Sequence, residues 1–191
     1  MKPLPNITIF IFIVFILFSC GTVKTLTTKD KTWLNRVIDS MYALDQKHRH
    51  NLIAVDSNFK VDTKNNGGKF LTLKAKKEKL GKNFKKYQKS KDSVNNIIAK
   101  TDDSNTKLLL KLTEKYGFPS RNRLEVYRAS AYSIFVHSPK KYYDTIKEVI
   151  TKEFKENRIS EYEKAYIFWH INGRAGMPPR LKKDGTVLYG K

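Results

Sequence analysis

The sequence predicts an all-α protein, a single helical domain of five or six helices closed by an irregular C-terminal tail. Two observations carry that prediction. From Thr28 onward, apolar residues recur at spacings of three and four, the period of an amphipathic helix. Stop and start punctuation falls mostly between these stretches: Asn65-Asn66-Gly67-Gly68, Gly117 with Pro119, Ser138-Pro139 and Gly173. No internal repeat is visible, and the length suits one domain with a real core.

The N-terminus comes first. Lys2 supplies a positive start, and Ile7 to Phe18 is an almost unbroken apolar run. As a helix that run would span roughly 18 Å, against the ~30 Å of a bilayer core. It is short for a transmembrane helix and suits the apolar region of a signal peptide. Leu17-Phe18-Ser19-Cys20 follows, then Gly21. Leu three residues ahead of a cysteine, with a small residue just before it, resembles the lipobox read by lipoprotein signal peptidase. Phe18 is bulkier than the commonest residue at its position. Cys20 is the only cysteine, so no intramolecular disulfide can form. Residues 1–19 are therefore expected to be a lipoprotein signal peptide, 20–27 a lipidated tether and 28–191 the helical domain. The implied place is a bacterial cell envelope, lipid-anchored through Cys20, with inner or outer membrane left open. The alternative is an ordinary signal or membrane anchor in which Cys20 is incidental.

The helices follow in order. Leu34, Ile38, Met41 and Leu52 predict a first helix over 28–53, capped by Asp30 or Thr28. After the Asn/Gly loop, Leu80, Phe84, Tyr87, Val94 and Ile98 predict a Lys-rich helix over 71–100, weakened at Gly81. This helix lies in an insert at 57–100. Asp102, Asp103 and Ser104 are candidate caps for a leucine-rich helix that stops at Gly117. Arg123 to His137 reads as one helix, apolar nearly all round and so the most buried. Pro139 opens the next, with Tyr142, Ile146, Val149, Ile150 and Phe154 as its stripe. Ser160 and Glu163 form a capping-box pattern before a last helix through Trp169. The tail, with Pro178-Pro179 and Asp184-Gly185, suggests one short hairpin.

The net charge of +20 points to an anionic neighbour such as lipid head groups or an envelope polymer. Lys60 to Lys91 holds twelve lysines against Asp62 and Glu78. Lys74, Lys76, Lys77, Lys82, Lys85, Lys86 and Lys89 are the candidate contacts with an anionic surface. A solvated helix face in a Lys-rich composition explains the same residues with no partner. Lysine outnumbers arginine heavily, and the aromatic residues do not interleave for base stacking, so nucleic acid is disfavoured. No protein partner is identifiable.

Chemistry is sparser. Asp45 and Arg49 continue the apolar face of the first helix, so they point inward and must be paired. Gln46 adjoins them, and His137 closes the most apolar helix. An imidazole oriented by Asp45 would be a usable general base. A structural ion pair and a satisfied core histidine are the plainer readings. His170, beside Asn172 and Arg174, is a weaker candidate of the same kind. His48 and His50 fall on different helix faces, and no metal-ligand spacing, phosphate loop or nucleophile elbow occurs. No cofactor or metal is expected.

Asp45-Gln46-x-x-Arg49, then Asp102 with Asn105, then Tyr116-Gly117-Phe118-Pro119, then a helix closing on His137, and finally Tyr189-Gly190 occur in that order. In this the chain resembles a family of uncharacterised bacterial proteins, a domain of unknown function with many members in Bacteroidota and many carrying lipoprotein peptides. The resemblance covers 30–55 and 100–191, leaving out the Lys-rich insert. Where that family tends to show an Asp-Arg pair in its last helix, this chain has His170, Asn172 and Arg174. The resemblance implies no activity. It implies that Asp45, Gln46, Arg49 and His137 matter together. The expectation is a membrane-anchored binding or interaction module with a basic surface; the alternative is an envelope hydrolase using His137, Asp45 and Arg49.

Overall fold

The computed structural model describes residues 25–61, 71–126 and 131–189. The signal-peptide and Cys20 expectations therefore lie outside the described residues. The first helix, α1 (Thr28–Asn58), begins at a capping box: the Thr27 hydroxyl accepts from the Asp30 amide, and the Asp30 carboxylate accepts from the Thr27 amide. The cap is thus Thr27, one residue before the expected start, with Asp30 as its partner and not as the cap itself. The reciprocal bonds satisfy two amides that the helix cannot, a contribution of about 1 kcal/mol.

The Lys-rich stretch is two helices, not one. Helix α2 (Leu73–Leu80) ends at Gly81, whose φ of +50° with ψ of −122° is a combination that glycine alone adopts without strain, and a 3₁₀ turn (Gly81–Asn83) leads into α3 (Phe84–Tyr116). Helix α3 absorbs both the second half of the insert and the leucine-rich helix. Asp102 and Asp103 are consequently interior residues of α3, not caps. No glycine or proline interrupts residues 84–116, and both carboxylates find side-chain partners that remove their need for backbone amides: Arg49 for Asp102, and Lys107, Lys141 and Tyr142 for Asp103.

The expected helix from Arg123 to His137 is also corrected. Helix α4 (Arg121–Leu124) stops at Glu125, which is left-handed at φ +55°, and α5 (Ala131–Val136) is a separate piece. Tyr127 and Ala129 lie outside the described residues. The left-handed turn at Glu125 closes the helix, the Val126 amide reaching back to the Arg121 carbonyl at 3.3 Å, while the Arg123 guanidinium donates to the carbonyls of Phe118 at 2.9 Å and Tyr116 at 2.7 Å. The apolar reading of the later piece holds, since Ala131, Ile134, Phe135 and Val136 are buried. A 3₁₀ turn (Lys140–Tyr142) after Pro139 opens α6 (Tyr143–Lys155). Ser160 caps α7 (Glu161–Ile171) through the expected capping box with Glu163. Strands β1 (Arg180–Leu181) and β2 (Val187–Leu188) pair antiparallel as the tail hairpin. The protein is all-α with an irregular tail.

Helices α1 and α3 run antiparallel, Trp33 packing on Tyr116 at one end and Asp56 meeting Tyr87 and Lys91 at the other. They are about 46 and 50 Å long. The core uses only one end of each. It takes Leu34, Ile38 and Met41 from α1 and Leu109, Leu112 and Tyr116 from α3, with Phe118, Phe135, Ile146, Ile150 and Ile167. Beyond Met41 and before Leu109 the pair continues as a two-helix arm. Its end is closed by buried Val61, by Phe59 against Tyr87, and by Tyr87 and Lys91 on the Asp56 carboxylate. No described helix is long and apolar enough to cross a membrane.

Candidate functional site

Where the arm leaves the core, polar side chains replace leucines. Asp45 follows Leu34, Ile38 and Met41 on the buried face of α1 and is only 3 % exposed. Such a carboxylate must be fully paired, and it is. Its Oδ1 accepts from Arg49 Nε at 2.9 Å and its Oδ2 from Gln46 Nε2 at 2.8 Å. Arg49 also donates to Asp102 Oδ1 of α3 at 2.8 Å, tying the two long helices together. His137, in the turn after α5, brings Nδ1 to 3.2 Å from Asp45 Oδ2. That nitrogen is shielded from solvent and makes no hydrogen bond.

Three elements thus converge: α1 with Asp45, Gln46 and Arg49, α3 with Asp102, and the end of α5 with His137. Around them Asn105 Nδ2 donates to the Met41 carbonyl at 3.2 Å, and the Thr106 hydroxyl lies 2.8 Å from that of Ser138. Both hydroxyls also reach backbone carbonyls, Asp102 for Thr106 and Ile134 for Ser138. Burial pushes the Asp45 pKa up, but His137 and Arg49 outweigh it and hold the carboxyl well below its ordinary range. For Asp102 burial prevails, and its pKa rises despite Arg49.

His170 stands on α7, near enough to feel the charge of His137. Its Nδ1 accepts from Arg174 Nε at 3.0 Å, and its ring packs on Trp169 and Tyr166. Burial, then Arg174, then His137 lower its pKa to about 4. The imidazole is therefore neutral at ordinary pH, in keeping with an acceptor Nδ1.

The sequence candidates Asp45, Gln46, Arg49 and His137 come together, with His170 in electrostatic range. Chemically the group offers an imidazole positioned by a carboxylate, but Thr106 and Ser138 are already engaged. Surface cavities of about 210 to 490 Å³ are lined by other residues. His48 is half-buried and His50 exposed on α1, and among the described residues no group of His, Cys, Asp and Glu could hold a metal ion.

The lysines lie elsewhere. Lys74, Lys77, Lys82, Lys85, Lys86 and Lys89 are exposed on α2, the 3₁₀ turn and the start of α3, at the far end of the arm. Lys76 is half-buried and lines a small groove with Leu73, Phe84 and Tyr87. None of these seven takes part in an ion pair among the described residues. Lys91, by contrast, is held by Asp56 at 3.0 Å.

Two features escaped the sequence reading. Glu153, buried on α6, accepts from the Phe118 amide at 2.6 Å and from Nε and Nη2 along one edge of the Arg158 guanidinium, so it fastens the Gly117-Phe118-Pro119 turn. A row of half-exposed rings, Tyr132, Tyr162, Tyr166 and Trp169, runs along α5 and α7 to His170. The i, i+4, i+7 spacing of Tyr162, Tyr166 and Trp169 was the available signal for the second; a lone interior glutamate gives none. Comparison of the chain with protein-family models, with curated proteins and with solved structures finds no match.

Proposed function

We propose that this protein is a lipid-anchored module of a bacterial cell envelope, held through Cys20, that engages an anionic surface or polymer through the Lys-rich end of its arm. The observation that carries the reading is the exposure of Lys74, Lys77, Lys82, Lys85, Lys86 and Lys89, without acidic partners among the described residues, on α2 and on the part of α3 that lies beyond the main core. A surface that only needed to be solvated would gain from interspersed acids, and this one has few. The order of motifs shared with the uncharacterised bacterial family supports an envelope role and adds no activity.

The test is the preference of the full chain for vesicles of phosphatidylcholine with phosphatidylglycerol over phosphatidylcholine alone. A variant with Lys76, Lys77, Lys85 and Lys86 changed to Gln should lose most of that preference. Equal preference in variant and parent removes the basic end from the account.

A second reading is favoured by one contact, His137 beside Asp45 at 3.2 Å. A carboxylate-positioned imidazole suits a general base in an envelope hydrolase. Under that reading His137→Ala abolishes turnover of envelope esters or amides while helix content stays unchanged. Turnover retained by His137→Ala leaves the cluster as a staple between helices.

A further inference from the structure

The solvent face of α3 carries a feature longer than the arm's end. At 3.6 residues per turn, Lys85, Lys89, Lys100, Lys107, Lys111 and Lys115 fall within about a third of the helix circumference. All six are exposed, while Tyr87, Ile98, Leu109 and Tyr116 are buried on the other side. The acids on the same arc are Asp103 at its edge and Glu114. Asp103 pairs with Lys107 at 2.8 Å, but it also draws in Lys141 from the turn before α6, so positive charge still predominates there. From Lys85 to Lys115 the row is about 45 Å long.

We infer that this row lays the protein lengthwise on an anionic bilayer, with the outer face of α3 against the head groups. The inference rests on the anchor and the basic contact proposed above and adds the posture and the partner. Because α1 and α3 are antiparallel, the start of α1 lies at the Lys115 end of the row. Thr28 lies eight residues beyond Cys20, a reach of at most about 28 Å. The anchored end and the basic row therefore meet the same plane when the domain lies on its side. Standing upright, the lysines toward Lys85 would lie several Debye lengths from the head groups, each length being about 8 Å at physiological salt. A straight, predominantly basic row along one helix matches a planar surface, whereas a flexible polyanion would need only the cluster at the arm's end.

The test is an amine-acetylation footprint of the full chain reconstituted into phosphatidylcholine vesicles with and without phosphatidylglycerol, read lysine by lysine by mass spectrometry. The expected result is several-fold protection of Lys85, Lys89, Lys100, Lys107, Lys111 and Lys115 together on the anionic vesicles. Lys182 and Lys183, in the tail hairpin tied to α7 by the Tyr189 hydroxyl on Glu161, should be unchanged. Protection confined to Lys74 through Lys89 overturns the side-on posture and leaves the arm contact standing. Protection by a soluble polyanion but not by anionic vesicles overturns the bilayer as partner. No protection by either overturns the basic-surface reading itself.

Discussion

Asp45 shows how a charged residue can occupy a position that the helix period assigns to the core. Its carboxylate takes bonds from Gln46 and Arg49 and lies beside His137, and together these neighbours outweigh burial and keep it ionised. Removing that charge should cost about 2 kcal/mol, the scale for hydrogen bonds to a charged group, because Asp102 still pairs Arg49. Asp45→Asn is therefore expected to unfold at lower urea than the parent at neutral pH. The folded-state pKa is depressed, so the stabilisation is complete above the ordinary value of 3.8 and is lost as pH falls below it. The gap between parent and variant should accordingly narrow in acid. His170 acts in a different window. Its pKa falls from 6.5 to about 4 on folding, so between those values the unfolded chain binds more protons and stability declines as pH is lowered. Urea titrations at pH 7 and pH 4.5 should show a smaller decline for His170→Gln than for the parent.

At the scale of elements, the turn after α3 is the most constrained piece of backbone. Gly117 sits at φ +75°, and a Cβ there would come within 2.8 Å of Arg158 and Arg123 side-chain atoms. These are the arginines that fasten the turn through Glu153 and through the carbonyls of Tyr116 and Phe118. Gly117→Ala should destabilise by about 2 kcal/mol or more through strain and displacement of those arginines, read as a lowered Tm. The same elements mark how far the sequence could be read. Helix periods, the Ser160–Glu163 box, the Gly117 stop and the tail hairpin are local, and local patterns were legible. The start of α3 was not, because Asp102 and Asp103 look like caps until Arg49, Lys107 and Lys141 arrive from elsewhere in the fold. The break at Glu125 carries no glycine or proline to announce it, since a glutamate takes the left-handed turn. Of the site, the inward placement of Asp45 and Arg49 followed from spacing, but the meeting with Asp102 and His137 is a tertiary fact.

At the scale of the whole molecule, an apolar core at one end is joined to a polar arm held by a few locks. The core engages α3 only from Leu109 onward, whereas the arm relies on Ile98, Tyr87 and the Asp56 pairings. Few buried apolar contacts mean a lower free energy of local opening. Amides of residues 86–98 should exchange about tenfold faster than those of 106–116 in the same helix. That gradient would place the basic segment on the part of the protein most able to adjust to a partner.

The most direct test of the central claim, that the exposed lysines of the arm engage an anionic surface, is a salt titration of the preference for anionic over neutral vesicles. The Debye length shrinks from about 30 Å at 0.01 M to about 8 Å at 0.15 M. The account predicts that the preference falls steeply over this range, by about tenfold or more, and less steeply when Lys76, Lys77, Lys85 and Lys86 are Gln. A preference that is absent at low salt, or that does not change with salt, would contradict it.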